Sequence, residues 1–135
     1  MGIDWNELLD LRTIREELGL DQKALADQLG VSLRVVQSCE QGWRNPSAAI
    51  ERSLLLLRLA HRHGASLDRA KCWETNDCPD QDRASCLVYR CQMGHLCWML
   101  SGNKCQGVAV GNWKDKKAVC GECQFMKQLV AGRLH

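Results

Sequence analysis

No strong net charge marks this chain. Eighteen Lys and Arg stand against sixteen Asp and Glu, a formal net charge of +2 at pH 7. A general basic field that would hold nucleic acid by its phosphates is therefore absent. Residues 1–70 carry nine Lys/Arg against ten Asp/Glu, and residues 71–135 carry nine against six. Any nucleic-acid contact in the first half must come from a local face. No apolar run is long enough to span a bilayer, and no charged segment followed by an apolar core opens the chain as a secretory leader would. The expectation is a cytoplasmic protein with no membrane partner. Gly107-Val-Ala-Val-Gly111 lacks the spacing and context of a phosphate-cradling loop and reads as a short strand. No cysteine stands with an activating base in a nucleophilic arrangement, so the chain does not read as an enzyme.

Cysteine is abundant. There are nine, eight of them after residue 70. In a reducing compartment clustered cysteines bind metal or do redox chemistry more often than they form structural disulfides. With 135 residues the chain has room for one ordinary domain or two small ones. The composition shift predicts a first domain over 1–66, a polar junction over 67–71 and a cysteine-rich domain over 72–135.

The first domain reads as helices. Asp4 and Glu7 form an Asp-led capping box, and Ile3 and Leu8 a hydrophobic staple. Leu8, Leu11, Ile14 and Leu18 follow at helical spacing as one helix ended by Gly19. Asp21 is the N-cap of a second helix carrying Ala24, Leu25 and Leu29. Gly30 supplies its left-handed C′ residue. Ser32 caps a third helix, Leu33 to Gln41, ended by Gly42. Ser47 caps a long helix from Ala48 to about His63, stopped by Gly64. Two helices joined by a short glycine turn over Leu20–Pro46 form a helix-turn-helix, whose second helix enters the major groove. A helical hairpin without DNA contact is the alternative that shape alone leaves open.

Periodicity divides the recognition helix. Val36, Cys39 and Glu40 face inward, while Arg34, Gln37, Ser38 and Gln41 face outward. Leu33 and Arg34 occupy its first turn, just after Ser32, where base edges are reached. Arg34 suits bidentate reading of a guanine, Gln37 and Ser38 hydrogen bonds to bases or phosphates, and Leu33 a thymine methyl. The plainer reading of Arg34 is a solvated surface charge, and that of Cys39 a small apolar core residue.

Gln22, Ala26, Gly30-Val31-Ser32, Glu40-Gln41-Gly42 and Pro46 together resemble the Cro/C1-type (XRE) helix-turn-helix family of DNA-binding regulators, over roughly Leu8–Ala60. The resemblance implies a five-helix bundle and double-stranded DNA as partner. It implies phosphate contacts from Gln22, Arg44 and Asn45, and an internal ion pair between Arg15 and Glu40. The long helix carries Ile50, Leu54, Leu55, Leu56, Leu57 and Leu59, more apolar surface than one face needs. A homodimer interface, docking of the second domain, or burial as the fifth helix of one bundle would each use it. Dimerisation would also multiply a modest half-site affinity.

In the second half, Cys72, Cys78, Cys86, Cys91, Cys97, Cys105, Cys120 and Cys123 are candidate metal ligands. Cys120-Gly-Glu-Cys123 is the sharpest local signal, since a two-residue gap lets both thiolates face one ion. About 64 residues with scattered apolar positions also call for a staple. Three readings compete: an iron–sulfur cluster, most simply four-iron; one or two structural zinc ions; and a metal-free thiol switch. His95 is a minor substitute ligand. A helix over Cys120–Ala131 would pack Phe125, Leu129 and Val130 onto this domain. Cys72-Trp73-Glu74, Cys78, Cys86, Cys97-Trp98, Ser101-Gly102, Cys105, Gly107, Cys120, Cys123 and Phe125 resemble the two-CW domain, a cysteine-rich module of anaerobic bacterial signalling and regulatory proteins. Cys91 fits that pattern least well. The fold expected overall is mainly α, a five-helix bundle followed by a small, loop-rich domain held by metal or cluster.

Overall fold

The computed structural model describes residues 2–99, 103–105, 108–110 and 112–131, and of Asp68 and the residues 103–105 and 108–110 the backbone alone. The chain divides into two compact units, one of Trp5–His61 and one of Met1–Asp4 with Arg62–His135. The division falls ahead of the expected junction, because the stretch after His63 continues as a 3-10 helix, Gly64–Arg69.

The first unit contains α1 (Trp5–Leu8), α2 (Leu11–Glu17), α3 (Gln22–Leu29), α4 (Leu33–Glu40) and most of α5 (Ala48–His63). The single first helix expected from Leu8, Leu11 and Ile14 is two helices. Asp10 breaks the run, its carboxylate accepting from the Thr13 amide at 3.0 Å to start α2. Ile3 groups with the second unit and donates its amide to the Gly121 carbonyl at 2.9 Å. Three of the expected caps are formed. Asp21 accepts from the Ala24 amide at 2.7 Å, Ser32 from Val35 at 3.3 Å and Ser47 from Ile50 at 3.3 Å. Gly30 and Gly42 take φ of +70° and +79°, a region L side chains avoid. Leu11, Ile14, Leu25, Ala26, Val36 and Leu54 form the core, with Leu18, Leu29, Val31, Cys39, Ile50 and Leu57 packed around it.

Helix α5 leaves little apolar surplus. Leu54, Leu55 and Leu59 are buried, Leu56 and Leu57 half-buried, and none of the large exposed apolar residues lies on it. Arg58 on the same helix is buried by an ion pair with Glu17 at 3.3 Å and a 2.6 Å bond to the Leu8 carbonyl.

The second unit is more helical than the loop-rich domain expected. It contains α6 (Cys72–Thr75), α7 (Asp80–Ser85), α8 (Leu87–Arg90), a kinked 3-10 helix Gly94–Met99, the strands β1 (Asn103–Cys105) and β2 (Val108–Val110), α9 (Trp113–Cys120) and α10 (Gln124–Val130). The strands pair antiparallel, Lys104 opposite Ala109. Cys120–Ala131 is not one helix; the chain breaks at Gly121–Cys123 between α9 and α10. Trp73, Val88, Trp98, Trp113, Phe125, Met126 and Leu129 form the apolar interior. Among the described residues no helix is long and apolar enough to cross a membrane.

Candidate nucleic-acid interface and thiol cluster

The reading helix is presented by capping at both ends of the turn that precedes it. Gly30 stops α3, and Ser32 spends its hydroxyl on the first turn of α4. From there Arg34, Gln37 and Gln41 are exposed and Leu33 is 37% exposed, while Ser38 is half-buried. Arg44 and Asn45 follow in an exposed loop. Between them and α4 stands Trp43, 81% exposed, which the sequence reading did not single out.

The opposite face of α4 is anchored by Glu40, whose side chain is only 1% exposed. Arg15 donates to it twice, Nε to Oε2 at 2.9 Å and Nη2 to Oε1 at 3.0 Å. Arg12 adds a bond at 3.1 Å that the sequence reading missed. Gln22, half-buried at the start of α3, also hydrogen-bonds this carboxylate through its side chain. Burial alone would push the Glu40 carboxyl up, but the bonds from Arg15, Arg12 and Gln22 outweigh it and hold it below the ordinary carboxylate range. The Arg15 guanidinium is raised in turn, chiefly by its bond to Glu40. One carboxylate thus joins α2, α3 and α4. Cys39 is a half-buried residue beside the core; burial pushes its thiol up while the Arg44 charge pulls it down.

The thiols of the second unit gather unevenly. Cys72 opens α6 and is hydrogen-bonded to Cys97, which draws its thiol below the ordinary value against burial. Cys86, Cys97, Cys120 and Cys123 are buried, Cys78 is half-buried and Cys91 is exposed. Burial lifts the Cys120 thiol to about 11, although the Lys116 charge pulls the other way. Burial likewise raises Cys78, with the Cys72 and Cys86 charges adding to it. Lys116, one turn before Cys120, is completely buried. Nothing in Trp-Lys-Asp-Lys-Lys distinguishes it in sequence from a solvated lysine. Asn76 donates to the Cys123 sulfur at 3.1 Å and accepts from the Phe125 amide at 3.3 Å. No disulfide joins the eight cysteines whose side chains are described. Among the described residues no three His, Cys, Asp or Glu side chains already close on a single metal ion. The Cys105 side chain, with Ser101, Gly102 and Gly107 of the expected motif, lies outside the described residues.

Residues 11–50 match the helix-turn-helix family model. The first unit is therefore of the helix-turn-helix class, the class that places its second helix in duplex DNA. No curated protein and no solved structure matches the chain.

Proposed function

We propose that the protein is a sequence-specific DNA-binding transcription regulator. In this reading it acts in the cytoplasm as a homodimer on two half-sites. Its cysteine-rich unit holds an iron–sulfur cluster or zinc and senses redox state, oxygen or metal. The DNA-binding part is carried by one observation: α4 exposes Leu33, Arg34 and Gln37 on one face while Val36 and Glu40 fix the other. With a near-neutral charge, affinity depends on these placed contacts together with Arg44 and Asn45, and two copies reading adjacent half-sites compensate for the weak field. The protein works by binding and not by catalysis.

For the second unit the support is the donor chemistry. Soft thiols gathered beside a buried cation suit a thiolate-bound centre in a reducing compartment. Trp98, next to Cys97, keeps its buried Nε1–H without an acceptor among the described residues, and a thiolate or sulfide would supply one. When bound, such a centre would contribute thiolate bonds sensitive to oxidant or metal supply. Within the second unit Cys123 is tied to the last residues of α5. Cys123 is the N-cap of α10, and the last carbonyls of α10 are held by the end of α5: Arg62 donates to Val130 at 2.9 Å and His63 Nε2 to Leu129 at 2.7 Å. A rearrangement at Cys123 would reach α5 through those bonds.

The burial of Cys86, Cys97, Cys120 and Cys123 favours a second reading, a constitutive structural zinc module used for protein interaction, without sensing. Purification without oxygen, a visible spectrum, metal analysis and selection of bound duplexes from a random library separate the two. A brown, iron-containing protein that loses its selected duplex in air supports sensing. A colourless zinc protein indifferent to air removes it. Arg34→Ala should cost about 1–3 kcal/mol of base discrimination. Unchanged affinity and sequence preference would show that the reading face has been misassigned.

A further inference from the structure

We propose that Cys72, Cys97, Cys120 and Cys123 are the ligands of one metal centre in the second unit, and that Lys116 is its fixed counter-charge. The proposal rests on the reading that this unit binds metal, and it selects four of the eight candidates. These four come from four elements that the fold brings together. Helix α6 packs on both the 3-10 helix Gly94–Met99 and α10. The first contact is unusually close. A Cβ at Gly94 would stand 2.8 Å from the Lys71 Cα and 2.9 Å from the Cys72 nitrogen. Gly94 therefore lets one backbone lie directly on the other, and Cys97, one 3-10 turn later, meets Cys72.

The second contact is made by Asn76, one turn after Cys72. Its carboxamide grips the Cys123 sulfur and the Phe125 amide together. A donor aimed at sulfur favours the thiolate, the form a metal needs. Cys123 and Cys120 are tied in turn, the amide of the former donating to the carbonyl of the latter at 3.1 Å. Lys116 lies on the same face of α9 as Cys120, and its charge acts on both Cys72 and Cys120. Four thiolates around a divalent ion, or around an oxidised four-iron cluster, leave a net double negative charge. Burying that is costly unless a cation is buried with it. Lys116, with 0% exposure, meets that requirement.

Cys91 is exposed. Cys78 is half-buried and borders the four, the Cys72 charge acting on it ahead of those of Cys86 and Arg83. Strand β1, ending at Cys105, packs on α7 and α8. On binding, each of the four thiols gives its proton to solvent and its sulfur lone pair to the metal, with no electron transferred. The sulfurs, neighbours in the thiol form, are drawn together by that step.

The test uses full-length protein, purified without oxygen, stripped with chelator and titrated separately with cobalt(II), zinc(II) and an equimolar mixture of iron(II) and iron(III) with sulfide. Cobalt–thiolate charge-transfer absorption reports the number of sulfurs bound. Cys72→Ser, Cys97→Ser, Cys120→Ser and Cys123→Ser should each lower that absorption and weaken metal binding at least about 10-fold, whereas Cys91→Ser should leave both unchanged. Lys116→Met should keep the same thiolate count but weaken binding about 10–100-fold, with recovery in Lys116→Arg. Circular dichroism of each stripped variant shows whether it has folded. Metal binding that survives all four serine variants, or that is abolished by Cys91→Ser, overturns the ligand assignment and leaves a metal-binding unit standing. Lys116→Met with wild-type affinity overturns the counter-charge role. No binding of any of the three probes by the wild-type protein overturns the metal reading itself, and the assignment with it.

Discussion

Replacing Arg15 by Met isolates the interaction that seats the reading helix. The Glu40 carboxylate is 1% exposed and would lose its two bonds from Arg15, at 2.9 and 3.0 Å. The Leu20 carbonyl would lose a third, at 3.1 Å. Stranding one partner of a fully buried pair costs about 3–5 kcal/mol. Two features reduce that here. Arg15 is itself 18% exposed, and Arg12, though 57% exposed, remains within 3.1 Å of Glu40. A loss of about 2–3 kcal/mol is expected, below the range for a fully buried pair. For a unit of this size the unfolding midpoint should fall by roughly 10–20 °C. Thermal unfolding followed by circular dichroism measures it, and a double-mutant cycle with Glu40→Gln separates pair coupling from lost packing. The effect should also depend on pH. Because the folded Glu40 carboxyl sits below its ordinary value, the pair's contribution is full above the unfolded carboxylate pKa, about 4.3. It is lost as pH falls through the lower folded value. The gap between wild type and Arg15→Met should therefore shrink in acid. An unchanged midpoint at neutral pH, or a gap that widens on acidification, would refute the reasoning.

Three further substitutions test other parts of the structure. Gly30→Ala meets no neighbouring atom within 4 Å, so its cost should come from the left-handed backbone alone, about 1–2 kcal/mol by chemical denaturation. Asp21→Ala removes the cap of α3 and should cost about 1 kcal/mol, with Asp21→Asn largely restoring it. Gly94→Ala places a methyl against two backbone atoms that cannot swing aside. It should cost about 1–3 kcal/mol and speed amide exchange in α6 and the 3-10 helix more than in α3 and α4.

Local chemistry made the first unit readable. Asp21, Ser32 and Ser47 are caps whose partners lie three residues away, and Gly30 and Gly42 end helices through their own backbone. Such signals need no knowledge of the fold. The bounds of α5 followed from them, and the inward turn of Glu40 from helical periodicity. The split between α1 and α2 did not, because Leu8, Leu11 and Ile14 keep helical spacing across it. Asp10 with Thr13 was the competing signal and it prevails. In the second unit the important relations are long-range. Asn76 and Cys123 are 47 residues apart, and the burial of Lys116 comes from packing that no local pattern encodes. The Cys120–Cys123 gap was visible, but not that it spans the break between two helices.

The bond from the Ile3 amide to the Gly121 carbonyl enters the loop between Cys120 and Cys123. The segment Gly2–Asp4 therefore completes the cysteine unit although it precedes the DNA-binding unit in the chain. For protein engineering, this means that an affinity tag or fusion attached ahead of Ile3 acts on the thiol loop. Cutting the chain to residues 5–61 would spare the core of the first unit, yet deleting Gly2–Asp4 alone would weaken the far end of the sequence. Tag position is then a variable to control when metal content is compared between preparations.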